Sequence, residues 1–117
     1  MKYSFTLLKK GLYLLFINIV LLSCSTPEER IVNVTKTYTV QIKQMQFQPA
    51  ELTVGSGDTV VFVNNDMFVH DVTEEVNKAW SSSSMAPGSK WKMVVTEDAN
   101  YYCSIHVVMK GKLLVRK

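Results

Sequence analysis

From Tyr38 onward, apolar and polar side chains alternate: Tyr38, Val40 and Ile42 face one way, Thr39, Gln41 and Lys43 the other. A period of two predicts a strand with one buried face. Pro49 interrupts the pattern, and Leu52-Thr53-Val54 reads as a short strand that stops at Gly55-Ser56-Gly57-Asp58, a strong turn signal. Thr59–Val63 (TVVFV) is apolar and β-branched, as expected of a central strand, and Asn64-Asn65-Asp66 closes it. A further strand is expected over Val69–Thr73, whereas Glu74–Trp80 reads equally well as one helical turn or as irregular loop. After Pro87-Gly88, Trp91, Met93 and Val95 alternate with Lys92 and Val94, and Tyr101–Cys103 and Lys112–Val115 supply the last strands. About seven short strands, with a turn every ten or so residues, predict an all-β fold, an antiparallel Greek-key β-sandwich. Met45 and Met93 are expected to fill core on their strands.

The start of the chain breaks this pattern. Lys2, Lys9 and Lys10 precede or border Leu12–Leu22, an almost wholly apolar run. Such a run is shorter than the roughly 20 residues needed to cross a bilayer, so it reads as a secretion signal rather than a resident span. Leu21-Leu22-Ser23-Cys24 resembles the lipobox of bacterial lipoproteins, in which the cysteine is acylated and becomes the first mature residue. Residues 1–23 are therefore expected to be a lipoprotein signal peptide and residues 24–36 a polar tether from a lipidated Cys24. Residues 37–117 would then be one domain. The expected location is the bacterial cell envelope, with the domain facing periplasm or exterior and the lipid bilayer as a partner.

Charge changes the picture once the leader is set aside. The formal net charge is +3, but removing Lys2, Lys9 and Lys10 leaves ten basic against ten acidic side chains. A neutral domain carries no electrostatic footprint for nucleic acid. The chain has two cysteines. If the sulfur of Cys24 carries lipid it cannot pair, and Cys103 is a lone thiol in an oxidising compartment, where only burial or ligation protects it.

The segment around Cys103 offers the ligation. Cys103, His106 and Met109 fall at n, n+3 and n+6, where a strand runs into a tight loop, and His70 lies after the TVVFV strand. Loops from different strand pairs gather at one end of a sandwich, so the two regions can meet. One thiolate, two imidazoles and a weak thioether form the trigonal set suited to copper in electron transfer. Structural zinc favours four Cys/His ligands and iron–sulfur clusters need more cysteines than this chain has. Taken singly, each residue also has a plain role as core or surface; together they point to copper.

Wider stretches now carry a resemblance. Phe47-x-Pro49-x-x-Leu52-Thr53-Val54, followed by Gly57-Asp58-Thr59-Val60-x-Phe62-x-Asn64, is similar to the opening strands of the blue copper proteins (cupredoxins), especially plastocyanin-like and amicyanin-like members. The Cys103-x-x-His106-x-x-Met109 spacing resembles the short amicyanin loop, and Lys110-Gly111-Lys112-Leu113-Leu114-Val115 follows the same pattern. The resemblance spans residues 47–117. It implies a β-sandwich, one type 1 copper and outer-sphere electron transfer. By position it makes His70, Cys103 and His106 the strong ligands and Met109 the weak axial one, with Asn64 and Asp71 beside them. Many relatives carry Pro before the first histidine ligand and Asn after it, where this chain has Val69 and Asp71. The family's Asn ties the ligand strand to the cysteine loop. An ionised Asp71 cannot donate such bonds, and its charge would favour the oxidised metal.

The resemblance also implies an apolar docking patch around His106, formed by Val107, Val108 and Phe68, with Met67 and Pro87 completing the rim. Redox proteins, one donor and one acceptor, are the partners expected of a monomer. Asp66, Asp71, Glu74 and Glu75 lie close in sequence, either as a face that steers a basic partner or as an ordinary solvated face. The leading reading is a single-electron carrier. A copper storage or delivery protein and a metal-free adhesion or assembly module are the alternatives. An enzyme is not expected, because four protein ligands leave no position for substrate.

Overall fold

The computed structural model describes residues 23–28 and 30–117, so the predicted leader falls, up to Leu22, outside the described residues. The chain divides into units Met1–Val32 and Asn33–Lys117. Of the first, the described residues carry no helix or strand and are exposed. Among the described residues no helix is long and apolar enough to cross a membrane.

The second unit is built from strands alone, in the order β1 (Thr37–Lys43), β2 (Gln46–Gln48), β3 (Glu51–Gly55), β4 (Asp58–Asn64), β5 (Thr73–Glu74), β6 (Lys90–Val95), β7 (Ala99–Cys103) and β8 (His106–Arg116). They form two four-stranded sheets, ordered β2-β1-β4-β6 and β3-β8-β7-β5. The sandwich is as expected, but the sheets are mixed: β1 pairs with β4, and β3 with β8, in parallel. The cause is a change of sheet. β2 turns back antiparallel on β1, the chain then crosses to the other sheet as β3, and the Gly55–Asp58 turn returns it as β4 beside β1.

The β1–β2 turn had no sequence signal. Gln44 and Met45 both hold positive φ (54° and 58°), a conformation usually left to Asn and Gly. Met45 is therefore in a turn rather than on a strand, although it still packs against the core, as does Met93 on β6. The strand expected over Val69–Thr73 is also displaced. Only Thr73–Glu74 joins a ladder, and His70 makes an isolated bridge with Met85. The ambiguous Glu74–Trp80 stretch closes β5 with Glu74 and is otherwise a loop. Its Glu74 carboxylate accepts from the N–H groups of Val76 (2.7 Å), Asn77 (2.6 Å) and Ala79 (3.3 Å), which hold its pKa below the usual range.

Alternation decides which face is core. On β4 every second residue, Asp58, Val60, Phe62 and Asn64, is buried, and its two ends are polar because each has backbone groups to satisfy. Asp58 accepts from Lys36 N (2.8 Å) and Gly55 N (2.7 Å). These two N–H groups, the Lys36 one foremost, hold its carboxyl below the usual carboxylate range, with help from Arg116. Between the sheets, Phe47 and Phe62 meet the Tyr101 ring edge-on at 4.8 and 5.3 Å. Gly111 faces Tyr101 across the β7–β8 ladder, where a Cβ would stand 2.2 Å from the ring. That position admits no side chain. The Tyr101 hydroxyl is buried with no hydrogen-bond partner, and burial pushes its pKa well up.

An orphaned buried hydroxyl costs about 1–3 kcal/mol, so Tyr101→Phe is expected to raise the unfolding free energy by about 1 kcal/mol; urea denaturation checks this. For Asp58 the folded pKa lies below the unfolded one. Its contribution is thus fully present above the unfolded value near 3.8 and lost as pH falls from there toward the folded value. Asp58→Asn should flatten the acid side of the stability–pH curve while changing its slope little near neutrality.

Candidate metal centre

The β7–β8 hairpin makes half of the site. Tyr102 pairs with Lys110, yet its neighbour Cys103 pairs with His106. One step on β7 thus corresponds to four on β8, and Val107, Val108 and Met109 have no partner on β7. Although β8 is extended throughout, its ladder slips at this point and the excess residues form the ligand loop. Cys103 ends β7 fully buried, His106 is half-buried, and Met109 is buried again where the loop rejoins the ladder.

The other half follows β4. Asn64, fully buried, donates through Nδ2 to the carbonyls of Phe68 and Met85, both at 2.8 Å, and accepts from Asp66 N at 3.0 Å. It therefore fixes the loop that delivers His70. His70 itself exchanges backbone bonds with Met85, His70 N to Met85 O at 3.2 Å and Met85 N to His70 O at 2.8 Å. Its side chain is fully buried. Asn64 thus supports the first ligand loop from beneath rather than touching the donor atoms.

The two halves converge on one point. Cys103 Sγ lies 3.8 Å from His70 Nδ1 and 3.7 Å from His106 Nδ1, and the two Nδ1 atoms are 3.1 Å apart. Among the described residues these three form a group able to hold one ion, with all donor atoms within 4.8 Å of one another. Bonds of about 2.0–2.1 Å to imidazole and 2.3 Å to thiolate span edges of about 3–4 Å, so the spacing fits a shared metal. His70 Nε2 lies 3.1 Å from Asp66 Oδ2. A carboxylate accepts only, so Nε2 carries the proton and Nδ1 turns its lone pair inward. The Asp66 carboxyl is held below its usual pKa, first by the Met45 N–H, then by the Met67 N–H and by His70.

Asp71 corrects an expectation. The tie between the ligand loops does not need a donating amide. Asp71 Oδ1 accepts from Ser104 N (2.8 Å) and from the Thr73 hydroxyl (3.0 Å), and Oδ2 accepts from the Ser104 hydroxyl. Three donors face an acceptor-only group, so the chemistry is matched. The backbone N–H of Asp71 also donates to Cys103 Sγ at 3.4 Å. Neither Asp66 nor Ser104 stood out in the sequence as a partner of the ligands. In sequence Asp66 marks only the end of a strand and one of several neighbouring acids, and Ser104 carries no motif of its own.

The acidic steering face does not exist as drawn. Asp66, Asp71 and Glu74 turn inward onto N–H and O–H donors, and Glu75 pairs with Lys110. The residues of the expected apolar patch do lie at the surface: Met67, Phe68, Val107 and Val108 are exposed, and Ile105, which the sequence reading omitted, joins them. Pro87 is exposed near Met85.

The family model for copper binding proteins of the plastocyanin/azurin family matches residues 34–116. The chain belongs to this family. It is 31% identical over 86 residues to the chloroplastic plastocyanin of Chlamydomonas reinhardtii, covering 62% of this chain and 59% of that one. With the amicyanin of Paracoccus denitrificans it shares 29% identity over 82 residues, covering 65% of this chain and 63% of the amicyanin. The chain thus spans about three fifths of the length of these relatives. A Cu-containing nitrite reductase from Thermus scotoductus SA-01 superposes with a TM-score of 0.64 at 28% identity, over 69% of this chain and 22% of the reductase. His70, Cys103, His106 and Met109 are positioned in this cupredoxin as a type 1 copper site.

Proposed function

We propose that this chain is a single-electron carrier working through one copper ion held by His70, Cys103, His106 and Met109. The observation that carries the reading is the convergence of Cys103 Sγ with two inward-facing Nδ1 atoms at 3.1–3.8 Å, where His70 and Cys103 are buried and His106 alone keeps partial exposure. The ion, when bound, supplies the Cu(II)/Cu(I) couple. Cys103 and Met109 suit the reduced ion and the imidazoles the oxidised one, so a fixed donor set serves both with little movement. His70 and Cys103 exclude water by burial, and His106 is the route by which an electron reaches the surface. Around that route Met67, Phe68, Ile105, Val107 and Val108 offer apolar area for a redox partner protein. A small apolar contact suits an encounter that must dissociate quickly. Domains of this fold also occur in a copper enzyme, the nitrite reductase. Here four protein donors leave no position for a substrate, which favours a carrier over an enzyme.

The anchor completes the proposal. Cys24 is exposed and Cys103 buried, so the two thiols have separate fates. Lipidation of Cys24 would hold the domain on a polar tether at a bacterial envelope membrane, facing periplasm or exterior.

Adding Cu(II) to the protein should produce an intense visible thiolate-to-copper band and a reversible one-electron wave, both lost in Cys103→Ser. A band that survives this substitution would exclude the site described. In cells of a bacterial host, the unsubstituted chain should sediment with membranes and take up labelled fatty acid. Cys24→Ser should move it to the soluble fraction; unchanged membrane retention without label argues against the anchor.

A further inference from the structure

Two carboxylates lie beside the ligand residues, Asp66 on His70 and Asp71 on Ser104 next to Cys103, and both are unusual in what they lack. Asp66 and Asp71 have side chains shut away from solvent, with 10% exposure for the Asp66 side chain and 8% for Asp71 as a residue. Asp66 accepts from Met45 N at 2.9 Å, Met67 N at 2.9 Å and His70 Nε2 at 3.1 Å. Asp71 accepts from Ser104 N, the Ser104 hydroxyl and the Thr73 hydroxyl. Among the described residues neither carboxylate has a lysine or arginine within ion-pair distance; the ion pairs are His70–Asp66 and Lys110–Glu75. Neutral donors keep a carboxylate ionised by bonding its charged form, yet they cancel none of its net charge. In a poorly solvated interior that charge acts on whatever cation lies nearest.

We propose that Asp66 and Asp71 are a pair of fixed negative charges that poise the copper toward its oxidised form, making this carrier a comparatively strong reductant toward its acceptor. The inference rests on the copper reading above. Asp66 acts through His70: its bond to Nε2 makes the imidazole a better donor at Nδ1, which favours Cu(II). Asp71 acts on the Cys103 side. Its backbone N–H to Sγ withdraws charge from sulfur, but that bond is present whatever the side chain, so the carboxylate's contribution can be separated from it. Loss of an electron would leave the site carrying one more positive charge, which two anions held next to the ligand residues would stabilise.

The test uses the copper-loaded full chain and reads the midpoint potential in a redox titration against a mediator couple, with the visible band as the check on the ligand set. Asp66→Asn and Asp71→Asn keep shape and an accepting oxygen while removing charge. Each should shift the midpoint upward, and the double variant should shift it by about the sum. Ser104→Ala removes a donor from Asp71 and leaves its charge less compensated, so the midpoint should move down. A purely structural clamp would send Asp71→Asn and Ser104→Ala the same way, because both loosen it. Unmoved or lowered potentials in the Asn variants, or a raised one in Ser104→Ala, overturn the proposal. Ser104→Ala touches no ligand and carries the test by itself if an Asn variant fails to fold. Absence of the band in the unsubstituted chain would instead overturn the copper reading itself.

Discussion

His70 lies between β4 of one sheet and β5 of the other, and β5 pairs with β7 one residue short of Cys103, Thr73 standing opposite Tyr102. Beyond that ladder the site is closed by bonds between the two ligand segments, above all those of Asp71. Its backbone N–H reaches Cys103 Sγ, and its carboxylate holds both the N–H and the hydroxyl of Ser104, the residue after the cysteine. This cross-link fixes sulfur relative to the His70 loop. Three electron-rich atoms at 3.1–3.8 Å repel through their lone pairs unless a cation or proton lies between them, so the ladder and the cross-link together oppose that repulsion. Holding donors in place beforehand is what lets one arrangement serve two oxidation states.

Rigidity behind the cross-link comes from the aromatic core. Tyr101 and Cys103 point to the same buried face of β7, so the strand that presents the thiol is the one that Phe47 and Phe62 grip two residues earlier. The bare backbone of Gly111 lets the hydroxyl end of the Tyr101 ring approach β8 closely. Just beyond, the ladder slips and releases Val107–Met109. The fold is thus tightest immediately next to the one place where it opens, and the ligand loop can curl without loosening its strands.

The sandwich, its central strand and the donors of the cysteine loop were legible in the sequence because each rests on local chemistry. Alternation at Tyr38–Lys43, the β-branched run at Thr59–Val63 and the Cys103/His106/Met109 spacing need no knowledge of neighbours. What escaped notice is non-local. The parallel pairing of β1 with β4 follows from a sheet change between β2 and β3, which a turn of Gln44 and Met45 does not announce. The bridge of His70 to Met85 stands where a strand was expected, and Asn64 adds side-chain bonds to the carbonyls of Phe68 and Met85. A buried asparagine thereby fixes an irregular segment whose backbone groups need partners outside a regular ladder.

Formal neutrality of the domain conceals a segregation of charge. Asp58, Asp66, Asp71 and Glu74 all turn inward as acceptors for backbone or hydroxyl donors, while Lys43, Lys90, Lys92 and Lys112 stand exposed. Stem length explains the difference. A short carboxylate side chain reaches nearby N–H groups in a turn, whereas lysine's long stem carries its ammonium out to water. Adjacent acids in a sequence are therefore poor indicators of an acidic face wherever turns offer free N–H groups. The same inward turn places the Asp66 carboxylate against His70 and the Asp71 carboxylate against Ser104, the residue after Cys103, rather than on a steering face. What the loops bearing the ligands do expose is apolar, at Met67, Phe68, Ile105, Val107 and Val108, whose short-range contacts are insensitive to the sign of the net charge.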